Sequence, residues 1–224
     1  MTDLSPFLNQ LIHGDCLPVM ASFPSGSVHL IVTDPPYGVK YIPRDGRTIV
    51  GDDATDWMKP AFAEMYRVLK PRGKLLLSDP VCEAPIPAKL KSDERLRALC
   101  LTGALPLADY VRRLTDIGFG TIEVRARRPY RVLSPRHYET DRLIAIESVE
   151  ICAIKDPMPG DGPCVFTGRT AIYHGADESF DDRRGHVLLQ NQPASVCDKT
   201  ANALAALGRD DIYISGSTWH YDGG

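Results

Sequence analysis

Asp34, Pro35, Pro36 and Tyr37 place a carboxylate, two rigid rings and an aromatic face in four consecutive positions. Work on the amino group of a flat base asks for that set. The Tyr37 ring offers a stacking face to an extruded base, and the Asp34 carboxylate and Pro35 carbonyl offer acceptors for its exocyclic amine. Held by both acceptors, the amine keeps its lone pair directed at an electrophilic methyl. The prolines stiffen the loop, so little ordering entropy is lost when a base enters. The competing reading is a strand followed by a turn, because Asp-Pro and Pro-Pro are ordinary punctuation.

Other side chains leave their chemistry open. The six cysteines, Cys16, Cys82, Cys100, Cys152, Cys164 and Cys197, are scattered without a Cys-x-x-Cys pair, which argues against a zinc ribbon or a thioredoxin-type site. Arg125, Arg127, Arg128, Arg131 and Arg136 either contact phosphates or line a solvated strand face. Asp15 either binds a ribose hydroxyl of a cofactor or caps the helix that follows it. The net charge of −3 excludes affinity for nucleic acid through overall charge. Without a signal peptide or an apolar run of membrane-spanning length, a cytoplasmic location with free thiols is expected, and no membrane partner.

The elements that must position these residues follow from apolar patterning. Val28, Leu30, Ile31 and Val32 suit a strand buried on both faces, and Pro35 and Pro36 stop it near Asp34. The motif therefore falls at the carboxyl end of a central strand, where open α/β sheets bind ligands. Phe62, Met65, Tyr66 and Leu69 form the stripe of a helix over 55–70, and 74–78 reads as a second buried strand. Strand, helix, strand at this spacing is a parallel crossover. Upstream, 8–16 reads as a short strand and 17–23 as a helical turn. Downstream, 88–101 and 107–117 read as helices, and 121–133, 142–155, 165–173, 186–190 and 211–215 as strands. A last helix falls over 196–207.

Residues 10–77, from Gln10-Leu11-Ile12-His13-Gly14-Asp15-Cys16 through Asp34-Pro35-Pro36-Tyr37 to Tyr66-Arg67-Val68-Leu69-Lys70-Pro71, resemble the DNA amino-methyltransferases. These modify adenine N6 or cytosine N4 with S-adenosylmethionine, and the resemblance implies that Asp34, Pro35, Pro36 and Tyr37 are the catalytic motif. Residues 64–224 resemble a second family, the arsenite S-adenosylmethionine methyltransferases. The carriers are Tyr66-Arg67-Val68-Leu69-Lys70-Pro71 onward, Leu99-Cys100-Leu101-Thr102-Gly103-Ala104-Leu105 and the terminal half through Ser217-Thr218-Trp219-His220-Tyr221. That resemblance implies that Cys100 and Cys164 bind trivalent arsenic through sulfur, and soft thiolates suit a thiophilic metalloid.

The chain thus reads as composite. An α/β fold is expected, with a Rossmann-like parallel sheet and the Asp-Pro-Pro-Tyr motif over 1–79, then a smaller α+β region over 80–224. The glycine-rich cofactor loop of either family is not recognisable. Gly14-Asp15 and Gly118-Phe119-Gly120 are poor substitutes for it. The leading function is an S-adenosylmethionine-dependent DNA amino-methyltransferase. The alternatives are an arsenite methyltransferase or arsenic-binding protein, and an inactive fusion.

Overall fold

The computed structural model describes residues 5–35, 57–93, 96, 101 and 103–217. Asp15 accepts a hydrogen bond from the Leu17 amide at 2.9 Å and caps α1 (Cys16–Ala21). No strand precedes it. The expected strand over 8–16 is irregular backbone behind a 3-10 turn at Ser5–Phe7. β1 (Val28–Thr33) leads, across residues 36–56, to α2 (Met58–Val68) and β2 (Leu69–Cys82). β1 and β2 pair in parallel, with Leu30 opposite Lys74 and Thr33 opposite Leu77, as the crossover reading requires.

α2 forms because Met58, Ala61, Phe62, Met65 and Val68 recur at helical spacing and bury one stripe. It ends where Leu69 turns to an extended conformation. A distant residue finishes that end. The Lys155 ammonium donates to the carbonyls of Tyr66 (2.6 Å) and Leu69 (2.7 Å) and lies 4.5 Å from the Tyr66 ring centroid. Arg67 donates to the carbonyls of Met20 and Phe23, binding the end of α1 to α2.

Beyond β2 come β3 (Leu105–Pro106), α3 (Leu107–Ile117), β4 (Thr121–Leu133), the short α4 (Pro135–Tyr138), β5 (Ile144–Ile154) and β6 (Cys164–Phe166). They complete the sheet in the order β1-β2-β5-β4-β6, with β3 beside the end of β2. The sheet is mixed. β5 runs antiparallel to both β2 and β4, because the connection through α4 is short enough to fold β4 back on β5. The boundary expected at residue 79 falls inside β2, and strands from both sides of it share this sheet.

The sheet has one packed face. Leu75 and Leu77 of β2, Val149 and Ile151 of β5 and Ile122 of β4 meet Phe62 of α2 and Tyr110 and Leu114 of α3, all buried. Each such side chain contributes about 1.5–3 kcal/mol through burial. The opposite face is open at β1, where Leu30 is 49% and Val32 70% exposed. The expectation that β1 is buried on both faces is therefore corrected. Among the described residues β1 pairs only with β2.

A second apolar cluster, with Cys82, Ile86, Leu90, Leu133, Ile144 and Ile146, buries the segment after β2. Of the helix expected over 88–101, the described part contains a 3-10 turn at Ala88–Leu90. The expected strand over 165–173 is two, β6 and β7 (Thr170–Tyr173), broken at Gly168 with φ 82°. β8 (Ser179–Asp181) and β9 (Val187–Leu189) form a hairpin. β10 (Ala194–Ser195) and β11 (Ile212–Ile214) flank β7, and α5 (Asp198–Ala205) packs on them through Ala201 and Leu204. No described helix is long and apolar enough to cross a membrane.

Candidate active site

Asp34 follows the last residue of β1 and is exposed, while Pro35 is buried. Together they stand at the carboxyl edge of the two parallel strands. Pro36 and Tyr37 lie outside the described residues. Beside Asp34 the open face holds a concavity of roughly 510 Å³, lined by Val32, Leu76, Ser78, Arg125 and Glu150 among others. That volume lies in the range of small-molecule sites. Apolar Val32 and Leu76 form part of its lining, and Asp34, Glu150 and Arg125 supply charge.

The structure adds a residue the motif reading missed. Asp79 sits two positions beyond Leu77, on the packed face of β2, and is only 8% exposed. Burial pushes its carboxyl up from 3.8 to about 7, against the opposing pull of a hydrogen bond with the Tyr110 side chain, and the negative charge of Asp34 pushes it further up. Two carboxyls of unlike environment therefore stand within electrostatic reach at one strand edge. A signal for this existed in the sequence: Asp34-Pro35 follows Thr33 of β1, and Asp79-Pro80 stands two positions beyond Leu77, the partner of Thr33 on β2.

The glycines named in the sequence are committed elsewhere. Gly118 ends α3 with φ 124°, and a Cβ there would stand 3.1 Å from Cζ of Tyr66. At Gly120 a Cβ would stand 2.5 Å from the Pro157 carbonyl oxygen, so this glycine permits a close crossing of two chain segments. Gly14 faces Val19 Cγ2 at 3.3 Å. Each of these three positions serves a packing contact. Asp15, the other expected cofactor residue, is engaged as the cap of α1.

Of the basic cluster, Arg125 pairs with Glu123 at 2.8 Å and Arg127 with the buried Glu147 at 2.8 Å, which favours a strand face laced by ion pairs over a phosphate track. Arg128 and Arg131 lie exposed on the same strand and Arg136 on α4. The five described cysteines are free thiols. Cys100 lies outside the described residues, so its approach to Cys164 is not part of this geometry. Cys164 instead meets another thiol, that of Cys197, with the Lys199 ammonium beside them. No group of three or more metal-ligating side chains occurs among the described residues.

No protein-family model matches the chain. It is similar to YubD of Escherichia coli K12, a methylase by name, with 54% identity over 63 residues that make up 28% of each chain. It is similar to the DNA adenine methyltransferase YhdJ of the same organism, 35% identical over 74 residues, 30% of this chain and 23% of that protein. It is also similar to the arsenite methyltransferase of Halobacterium salinarum, 35% identical over 63 residues, 28% of this chain and 16% of that protein. The chain thus spans less than a third of the length of these curated relatives. Among solved structures it aligns with an arsenic (III) S-adenosylmethionine methyltransferase from Chlamydomonas reinhardtii at 19% identity and TM-score 0.49, over 93% of this chain and 66% of that one. Both resemblances read from the sequence, to DNA methyltransferases and to arsenite methyltransferases, are thus present in the relatives.

Proposed function

We propose that the chain is an S-adenosylmethionine-dependent methyltransferase acting on the exocyclic amine of adenine or cytosine in DNA. The observation that carries this reading is the position of Asp34 and Pro35. They follow a parallel strand at its carboxyl end, and Asp34 lines a concavity of roughly 510 Å³. Asp34 accepts the amine proton and orients the lone pair, Pro35 offers its carbonyl, Pro36 stiffens the loop and Tyr37 stacks on the base. YhdJ, a DNA adenine methyltransferase, supports the substrate class.

The test is transfer of labelled methyl from S-adenosylmethionine to unmethylated duplex DNA, with cofactor binding followed by calorimetry. Label on DNA that Asp34→Ala abolishes supports the reading. Absence of any heat of cofactor binding overturns it.

A second reading assigns trivalent arsenic as acceptor, bound by Cys100 and Cys164. It is favoured by the half-buried Cys164 thiol beside a cation and by the Halobacterium relative. Label on arsenite but not DNA, lost in Cys100→Ser and Cys164→Ser and untouched by Asp34→Ala, would transfer the assignment to it.

A further inference from the structure

Cys164 and Cys197 lie 33 positions apart in the chain on two segments tied together on either side of them, by Thr167 donating to Asp198 at 2.7 Å and Lys199 donating to the Gly162 carbonyl at 2.7 Å, and their side chains interact. Cys164 opens β6, pinned by its amide to the Gly120 carbonyl at 2.8 Å and paired with Thr121 of β4. Cys197 is the N-terminal flanking residue of α5, is 3% exposed, and has its sulfur 3.2 Å from the Thr200 hydroxyl. Two interacting thiols on separately anchored elements differ from the other described cysteines. Cys82 donates to the Ala104 carbonyl at 3.4 Å, Cys152 is sealed in β5, and Cys16 is exposed on α1.

The surroundings distinguish the two sulfurs. Cys164 is half-buried and therefore reachable from solvent, and the Lys199 ammonium acts on it electrostatically. That ammonium is held in place by Asp161 at 2.5 Å and by the Gly162 carbonyl at 2.7 Å. That fixed cation opposes, without overcoming, the rise that burial imposes on the Cys164 thiol. Cys197, shielded from solvent, can meet only what its neighbour presents.

We propose that Cys164 and Cys197 form a peroxide-oxidisable dithiol that closes to a disulfide between β6 and the start of α5. The Cys164 thiolate attacks one oxygen of hydrogen peroxide; the S–O bond forms, the O–O bond breaks, and the departing hydroxide takes a proton to leave as water. Cys197, as thiolate, then attacks the sulfenic sulfur. The S–S bond forms, the S–O bond breaks, and a second water leaves after protonation. Two thiols have lost two electrons in total and one peroxide has gained them. Burial and the adjacent Cys197 sulfur hold the Cys164 thiol above its ordinary range, with Lys199 opposing them. The closure therefore speeds up by about tenfold per pH unit across neutral pH.

The experiment treats the full chain with hydrogen peroxide, blocks remaining thiols with iodoacetamide, and maps peptides by mass spectrometry without reduction. The expected product is one cross-linked peptide pair joining Cys164 to Cys197, two hydrogens lighter than the separate peptides and reversed by dithiothreitol. In Cys197→Ser, Cys164 instead accumulates as sulfenic acid trapped by dimedone. Two results overturn the proposal: Cys164 and Cys197 both recovered alkylated at a peroxide dose that oxidises exposed Cys16, or Cys164 driven to sulfinic acid in the unsubstituted chain without cross-linking. The unsubstituted chain alone decides the matter if Cys197→Ser does not fold.

Discussion

The two faces of the central sheet differ more than any other pair of regions in the molecule. Along β2 the alternation is regular: Leu75, Leu77, Asp79 and Val81 point to the helices, while Lys74, Leu76 and Ser78 point away. The first set is buried beneath α2 and α3. The second meets solvent and the concavity at Asp34. Stability should reside on one face and recognition on the other. A carboxyl that is costly to ionise stands on the stability side, next to one that is exposed.

The largest expected effect tests the packed face. Phe62→Ala removes a fully buried ring from beneath the sheet and should cost about 3–5 kcal/mol in chemical denaturation. A cost below 1 kcal/mol would mean that α2 does not seal this face. Asp79→Asn should act in the opposite direction. Its folded-state carboxyl lies near 7 against 3.8 when free, so the native state holds the extra proton between those values and loses stability as pH rises through them. Asparagine keeps an acceptor for Tyr110 without the charge. Stabilisation should approach about 4 kcal/mol at pH 8 and vanish near pH 4, read as the difference between two denaturation midpoints followed against pH. A gain independent of pH would detach Asp79 from the linkage.

On the open face the effects move from stability to turnover. Asp34→Ala should lower methyl transfer to DNA by about 100-fold through lost orientation of the amine, with the thermal midpoint unchanged. The smallest effect is expected at Val32→Ser, within about 0.5 kcal/mol, because this side chain already meets water. If Val32→Ser instead destabilises as much as Phe62→Ala, something covers the open face in solution, and the contrast between the faces collapses.

Much of this arrangement was legible in the chain. The helix over 107–117 matches α3 residue for residue and the strand over 121–133 matches β4, because an amphipathic stripe running into Gly118 leaves little choice of boundary. β1 was placed correctly, but its surroundings were not. An apolar run such as Val28–Thr33 records what a strand tolerates, and carries no record of how many neighbours it has. β2 runs through Pro80 to Cys82, past the stop that proline suggests. On its β1 side the pairing ends at Leu77 and resumes with β3 at Val81, so Pro80 falls in a gap between partners on that side. The Cys164–Cys197 contact had no local signature, since it depends on how β6 and α5 dock. Asp79 was readable as a repeated Asp-Pro, but the rise of its carboxyl follows from burial, against the pull of Tyr110, which spacing does not reveal.

Lys155 completes the end of a helix from 86 to 89 positions away in the chain. On a ribosome that ordering has a direction. The Arg67 and Val68 carbonyls are met by the earlier amides of Gly26 and Ser27. But α2 emerges long before the ammonium that reaches those of Tyr66 and Leu69, and β5, which also brackets β2, emerges just ahead of that lysine. Until then the nascent βαβ unit has an unfinished helix end and one bare strand edge. The first half of the chain therefore waits on the second, and a pause in translation before residue 155 would lengthen the exposure of that edge to other chains.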